Sequence, residues 1–273
     1  MKQKNWYLRL GSVLTALSFA YILLGFFWTP YDPGLLSAPD RFAKPSAAHL
    51  FGCDQLGRDV FSRTLEGAGS TLLIALAVVA VGFAVGLLVG ALCGYFGGPL
   101  DAVAMRLCDA ITAFPSILLA MVIIAITGAG TYNVILALGI LFIPSFARLV
   151  RGEFRKFRQR EFVEAALATG ISPIRIVFRH ILPNTWPVLL SGLTIGFNNA
   201  VLSEASMSFL GIGVGPAEAS LGRMLSEGQG ILFSAPWCTA FPALVVILMI
   251  LGVGMLGEGI RENLRRSNAE LTF

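Results

Sequence analysis

The sequence predicts an all-α polytopic membrane protein with six transmembrane helices, and three observations carry that prediction. Hydrophobic residues make up 56% of the 273-residue chain, and its mean hydropathy is +0.77. Charged residues reach only 13%, against about 25% in a water-soluble globule, so polar groups cannot cover a soluble surface. Six stretches are also apolar over the roughly 20 residues that a helix needs to cross about 30 Å of hydrocarbon. So rich an apolar composition excludes a disordered chain, and a net charge of only +4 argues against nucleic-acid binding.

The predicted spans run from about Leu10 to Trp28, Ser70 to Tyr95, Ala102 to Thr127, Val134 to Val150, Pro187 to Phe209 and Pro236 to Ile260. The first follows Lys2, Lys4 and Arg9 as a secretory signal would, but its apolar run is too long for one and lacks a small-x-small cleavage site, so it reads as an uncleaved anchor. Orientation follows from the distribution of Lys and Arg. With six crossings, one side holds 15 basic residues, eight of them between Arg148 and Arg179, and the other side holds five: Arg41, Lys44, Arg58, Arg63 and Arg223. Both termini are therefore expected in the cytoplasm, with residues 30–69 and about 210–235 outside. Pro30, Pro33, Pro39 and Pro45 predict an irregular first outer segment.

Within the spans, Gly82, Gly86, Gly90 and Gly94 form a small-xxx-small stripe that predicts close helix approach, inside the chain or at a subunit contact. Arg106 and Asp109 are three residues apart on one face and predict a local ion pair. Glu204, near Ser203, Ser206 and Ser208, is the candidate pathway residue, because a carboxylate at membrane depth is costly unless it lines a hydrated cavity. Pro115, Pro144 and Pro242 each remove a backbone donor and can kink their helices.

Cofactor chemistry has no foothold. Cys53, Cys93, Cys108 and Cys238 form no CxxC pair, and with only His49 and His180 beside them the spacing of a zinc site is missing. Cys53 and Cys238 are expected as two unpaired thiols on the outer side. None of the four lysines follows a glycine, so the chain lacks a P-loop; if ATP drives this protein, another chain hydrolyses it.

The segment between the fourth and fifth spans is the most informative. Glu161 to Thr169 favours a short helix, and Gly170 can take the left-handed C-terminal position. Ser172 is then placed to cap a second helix with Pro173 at its first position, and Pro183 to end it before the fifth span. Ala165, Ala166 and Ala168 keep the first helix slim, as suits a plug for a groove on another protein. Topology alone would need only a basic loop.

Here a family resemblance becomes specific. Glu164-Ala165-Ala166, Gly170 and Ile181-Leu182-Pro183 resemble the EAA loop of permease subunits of bacterial ABC importers. His180-Ile181-Leu182-Pro183-Asn184 is similar to the version in the dipeptide, oligopeptide and nickel group. Phe51 through Arg63 resembles the FGTDxxGRDxxSR segment of its C-type subunit, as do Gly94 to Gly98, Ala147 to Arg151, Ser208 to Gly211 and Ser234 to Trp237. Cys53 stands where threonine is usual, and Leu221-Gly222-Arg223-Met224 departs from a tryptophan-glycine-asparagine-methionine run.

The resemblance implies a type I ABC importer permease fold, with residues 1–69 as an N-terminal helix and outer segment, and 70–273 as the transmembrane core carrying a coupling loop at 151–186. It implies a B-type permease partner, two cytoplasmic ATPases using ATP and Mg, an outer solute-binding protein, and the bacterial inner membrane; no cofactor is expected on this chain. Glu161, Glu164, Ala165, Ala166, Ala168, Gly170 and Pro173 become the ATPase-coupling residues. Di- or oligopeptides are the expected cargo, with nickel or a metal chelate as the alternative. A secondary transporter would show inverted repeats with broken helices in both halves, and a membrane enzyme would need converging catalytic groups that two isolated histidines do not supply.

Overall fold

The computed structural model describes residues 6–215 and 218–270; Lys2 and Lys4 of the charge count lie outside the described residues. The described chain is helical, with no strand beyond one isolated Cys53 to Asp59 bridge. Ten helices follow one another: α1 (Trp6–Phe27), α2 (Val60–Phe96), α3 (Gly98–Thr112), α4 (Ser116–Thr127), α5 (Thr131–Arg158), α6 (Glu161–Ala168), α7 (Pro173–Arg175), α8 (Leu182–Phe209), α9 (Leu221–Gln229) and α10 (Trp237–Glu270).

The six predicted spans take three forms. Helices α1, α2, α5 and α10 are each long and apolar enough to cross a membrane. The third span is a pair, α3 and α4, bent by 88° where Pro115 withholds an amide and steers the residue before it out of helix. Pro144 and Pro242 sit inside the continuous helices α5 and α10. The fifth predicted span, α8, has 28 residues, about 42 Å of helix, but Asn198, Asn199, Glu204 and its serines keep it outside the helices that are apolar enough to cross a membrane.

Two expected boundaries move. Helix α2 begins at Val60, ten residues before the predicted span, because Asp59 caps it by accepting from the Ser62 amide at 2.7 Å and the Ser62 hydroxyl at 2.8 Å. Pro183 does not end a short helix: residues 173–209 run on through a π-helical turn, Ile176–Ile181, in which the Leu182 amide donates to the Val177 carbonyl. That wider turn gives Pro183 room where an α-helical turn would press its ring on a carbonyl. The Ser172 side chain makes no cap; its carbonyl accepts from the Ile176 amide at 3.1 Å instead.

Helices α2 and α5 form the spine. A Cβ added at Gly82 would lie 2.7 Å from Phe142 Cβ, at Gly86 2.6 Å from Phe146 Cβ, at Gly90 2.5 Å from the Ala147 carbonyl, and at Gly94 2.7 Å from the Arg151 carbonyl. The whole stripe thus packs within the chain, on consecutive turns of α5. A second set, unnoticed in the sequence, joins α1 to α10: Gly11 rests on Met255 and Leu256, Gly252 on Leu14 and Thr15, and Gly259 on Leu8. The main core gathers Ala68, Leu72, Ala75 and Val78 of α2 with Ala137 and Leu138 of α5 and Ala200 and Val201 of α8.

Gly90→Leu is expected to cut the amount of accumulated subunit about tenfold, because overpacking a filled contact costs ~1–3 kcal/mol or more. Gly152→Ala on α5, where an added Cβ meets nothing within 4 Å, should leave it unchanged. Membrane-fraction immunoblots read both; equal levels would refute the close-packing account.

Candidate functional site: a helix knob, a cavity and a charge cluster

The knob at one end of the spine consists of α6, α7 and the π turn. Val163 and Ala166 of α6 are buried with Ile176, Val177 and Ile181 against Ala91 and Tyr95 of α2 and Val150 and Phe154 of α5. Ala166 therefore roots the knob and is no part of its free surface. Gly170 has φ +77°, its amide donating to the Leu167 carbonyl at 3.0 Å while the Ile171 amide closes on the Ala166 carbonyl at 3.1 Å. This is the Schellman arrangement that a left-handed residue permits.

Glu161, Glu164, Ala165, Ala168 and Pro173 are exposed. Beside them project Phe162, Leu167, Ile174 and Phe178, large apolar side chains 40–68% exposed. The sequence reading passed over these four. Their non-polar spacing alongside the alanines was the available signal, yet nothing in it separated a buried face from a free one.

A cavity of 590 Å³ opens between α5 and α8, with Ser116 and Ile117 of α4 brought to it by the bend. Its polar lining is uncharged: Ser116, Ser145, Asn199, Ser203 and Ser206, among apolar residues such as Leu141, Phe146 and Met207. Glu204 is not on this wall. It is fully buried on the opposite face of α8, accepting from the Ser208 hydroxyl at 2.7 Å. The hydroxyls of Thr71 and Ser220 lie alongside without closing a hydrogen bond to its second oxygen. Ser203 and Ser206, at −1 and +2 from it, are on the cavity side of α8, so Glu204 does not line the cavity as the sequence suggested.

Nor does Asp109 pair with Arg106. It accepts from Arg148 of α5 at 2.9 Å, and Asp101 similarly binds Arg151, with one contact at 2.6 Å. The two pairs tie α3 to α5, a tertiary choice that spacing within α3 could not foresee.

At the α9 end, the loop before α2 is fastened by charge. Asp54 accepts from the Leu56 and Arg58 amides at 2.8 and 3.0 Å and from Arg58 Nε at 2.6 Å. Glu227 of α9 receives Arg58 at 2.8 Å, Arg63 of α2 at 3.1 Å and Arg223 at 3.0 Å. Arg63 is only 5% exposed, so its charge depends on these carboxylates. Gly57, at φ +77°, lets the loop pass so close that an added Cβ would sit 1.7 Å from the Ser37 carbonyl. Cys53 and Cys238 are buried and unpaired, with Cys238 Sγ 3.6 Å from the Cys53 carbonyl. Burial, then the charges of Asp59, Asp40 and Asp54, push the Cys53 thiol up to about 11, which keeps the metal-free thiol protonated near neutral pH.

Long apolar helices on a glycine-packed spine, with a knob at one end and a lateral cavity, are the frame of a polytopic membrane protein. The chain belongs to the family of binding-protein-dependent transport system inner membrane components, whose profile matches residues 86–269. The glutathione transport system permease protein GsiD of Pectobacterium atrosepticum is 38% identical over 264 residues, covering 94% of this chain and 88% of that one. The dipeptide transport system permease protein DppC of Alkalihalophilus pseudofirmus is 40% identical over 225 residues, 82% of this chain and 74% of that one. Among solved structures, the inward-facing MetNI methionine ABC transporter matches with a TM-score of 0.62 at 22% identity, covering 74% of this chain and 95% of the other, a likeness of fold.

Glu227→Ala would take from Arg63 and Arg58 one of the two carboxylates they share, leaving Asp54. Loss of one partner from a buried pair costs several kcal/mol; with Glu227 one-quarter exposed, ~1–3 kcal/mol is expected. The purified subunit should unfold at a lower temperature, whereas Glu258→Ala, removing an exposed pair with Arg261, should not shift it.

Proposed function

We propose that this chain is one half of the membrane pathway of an ATP-driven importer for di- or oligopeptides, paired with a B-type permease and fed by a binding protein. The exposed knob carries this reading: four large apolar side chains on α6, α7 and the π turn, edged by Glu161 and Glu164, stand free on a base rooted in α2 and α5. That is a docking surface for an ATPase subunit using ATP and Mg. Motion of the knob would reach the spine through Val163, Ala166 and Ile176, and the spine bears the cavity wall on α5. Alternation between two packings would follow from ATPase closure.

Peptide cargo rests on the relatives' named substrates, glutathione and dipeptides, and on a lining of hydroxyls and one amide, which can hydrogen-bond peptide groups without holding a charge. Both termini are proposed to be cytoplasmic on the strength of the basic asymmetry.

Proteoliposomes holding the permease pair and its ATPases should import a dipeptide only with ATP and the loaded binding protein. Gly170→Val is expected to lower uptake about tenfold, because the left-handed backbone costs a β-branched residue ~1–2 kcal/mol on a surface that must dock. Nothing crowds Gly170, so Gly170→Asn, which tolerates that backbone, should retain most uptake. Wild-type uptake by Gly170→Val would dismiss the coupling role. For orientation, a Ser46→Cys variant should react with an impermeant maleimide in intact cells and a Ser267→Cys variant should not; the reverse pattern would invert the topology.

A further inference from the structure

His49, Cys53 and Asp59 are spaced H-x3-C-x5-D, no familiar metal pattern, yet the loop folds them onto one point. The Gly52 amide donates to the His49 carbonyl at 2.9 Å and turns the chain, and Cys53 and Asp59 then face each other across the single β-bridge. One nitrogen, one sulfur and one oxygen from these side chains lie within 4.8 Å of one another. His49 Nδ1 is 2.9 Å from Asp59 Oδ1, with His49 15% exposed and Asp59 2% exposed.

Capping accounts for part of this. Asp59 Oδ2 serves the start of α2, and His49 hydrogen-bonds Oδ1. It does not account for a fully buried thiol beside the pair. An approach also exists: a cleft of 410 Å³ is walled by Asp59, Trp28 and Tyr31, and the Tyr31 ring packs on the His49 ring at 4.7 Å.

We propose that His49, Cys53 and Asp59 form a binding site for a borderline-soft divalent cation of the Zn²⁺ class. Imidazole, thiolate and carboxylate are the ligand types Zn²⁺ takes, whereas Mg²⁺ and Ca²⁺ prefer all-oxygen sets. Ligand bonds of ~2.0–2.2 Å in a tetrahedron set nitrogen and oxygen roughly 3.4 Å apart, so the His49 to Asp59 contact opens by about half an ångström. The proton on Nδ1 moves to Nε2, the Cys53 thiol releases its proton to solvent, and Asp59 Oδ2 keeps its cap on Ser62. Three protein ligands leave a fourth position for water from the cleft.

The test uses the full-length subunit with its permease partner in detergent or nanodiscs. Zn²⁺ is titrated against a chromophoric chelator, and Cd²⁺ is added separately to record sulfur-to-metal absorption. One ion per chain is expected, with a thiolate band and about one proton released. Cys53→Thr and His49→Gln should each weaken binding at least about tenfold. Cys238→Ser should leave it unchanged. Failure of the wild-type subunit to take up Zn²⁺ or to show the Cd²⁺ band overturns the proposal, a result independent of how any variant folds. Uptake that survives Cys53→Thr, or equal competition by Mg²⁺ or Ca²⁺, overturns it as well.

Discussion

Backbone-to-backbone contact between α2 and α5 is the constraint on which the rest of the molecule depends. In lipid no hydrophobic force drives two apolar helices together, so their association must come from close packing. Four glycines on successive turns of α2 remove the side chains that would hold α5 away, and α5 answers with the carbonyls of Ala147 and Arg151 and the Cβ atoms of Phe142, Phe146, Val150 and Phe154. One face of α5 is thereby committed along its length; Phe142 and Phe146 at its edge also join the cavity wall, and Val150 and Phe154 at the knob end also seat α6.

This commitment links the two ends of the molecule. The buried side of the knob packs on Tyr95, Val150 and Phe154, at the level of the last two glycine contacts. At the other end, Arg63 near the start of α2 is held by Asp54 of the loop and Glu227 of α9. Helix α2, at 37 residues, thus spans from the charge cluster to the knob as one element.

Polar groups are used differently at each depth. Around the cavity they are neutral hydroxyls and one amide. At the loop before α2 they are charged and mutually satisfied, so five ionic side chains hold a segment that has almost no regular structure. Glu204 stands between these cases: a buried carboxylate flanked by hydroxyls where α8, α2 and the start of α9 converge, linked through Ser208 to the chain at Val214, whose amide donates to that hydroxyl at 3.4 Å.

The sequence by itself determined the membrane class, the approximate spans, the glycine stripe and the helix-turn-helix around Gly170, because each depends on local composition or on one helical period. The Schellman turn at Gly170 needs only a residue free to take positive φ, and the stripe needs only four-residue spacing. Tertiary structure alone decided which groups meet. Asp109 chose Arg148 over Arg106 because α5 passes alongside α3; Glu204 turned from the cavity because α8 is packed on two sides; Pro115 broke its span while Pro144 and Pro242 did not, although all three read alike. Periodicity says which residues share a face, but the partner of that face is set by packing of segments distant in the chain.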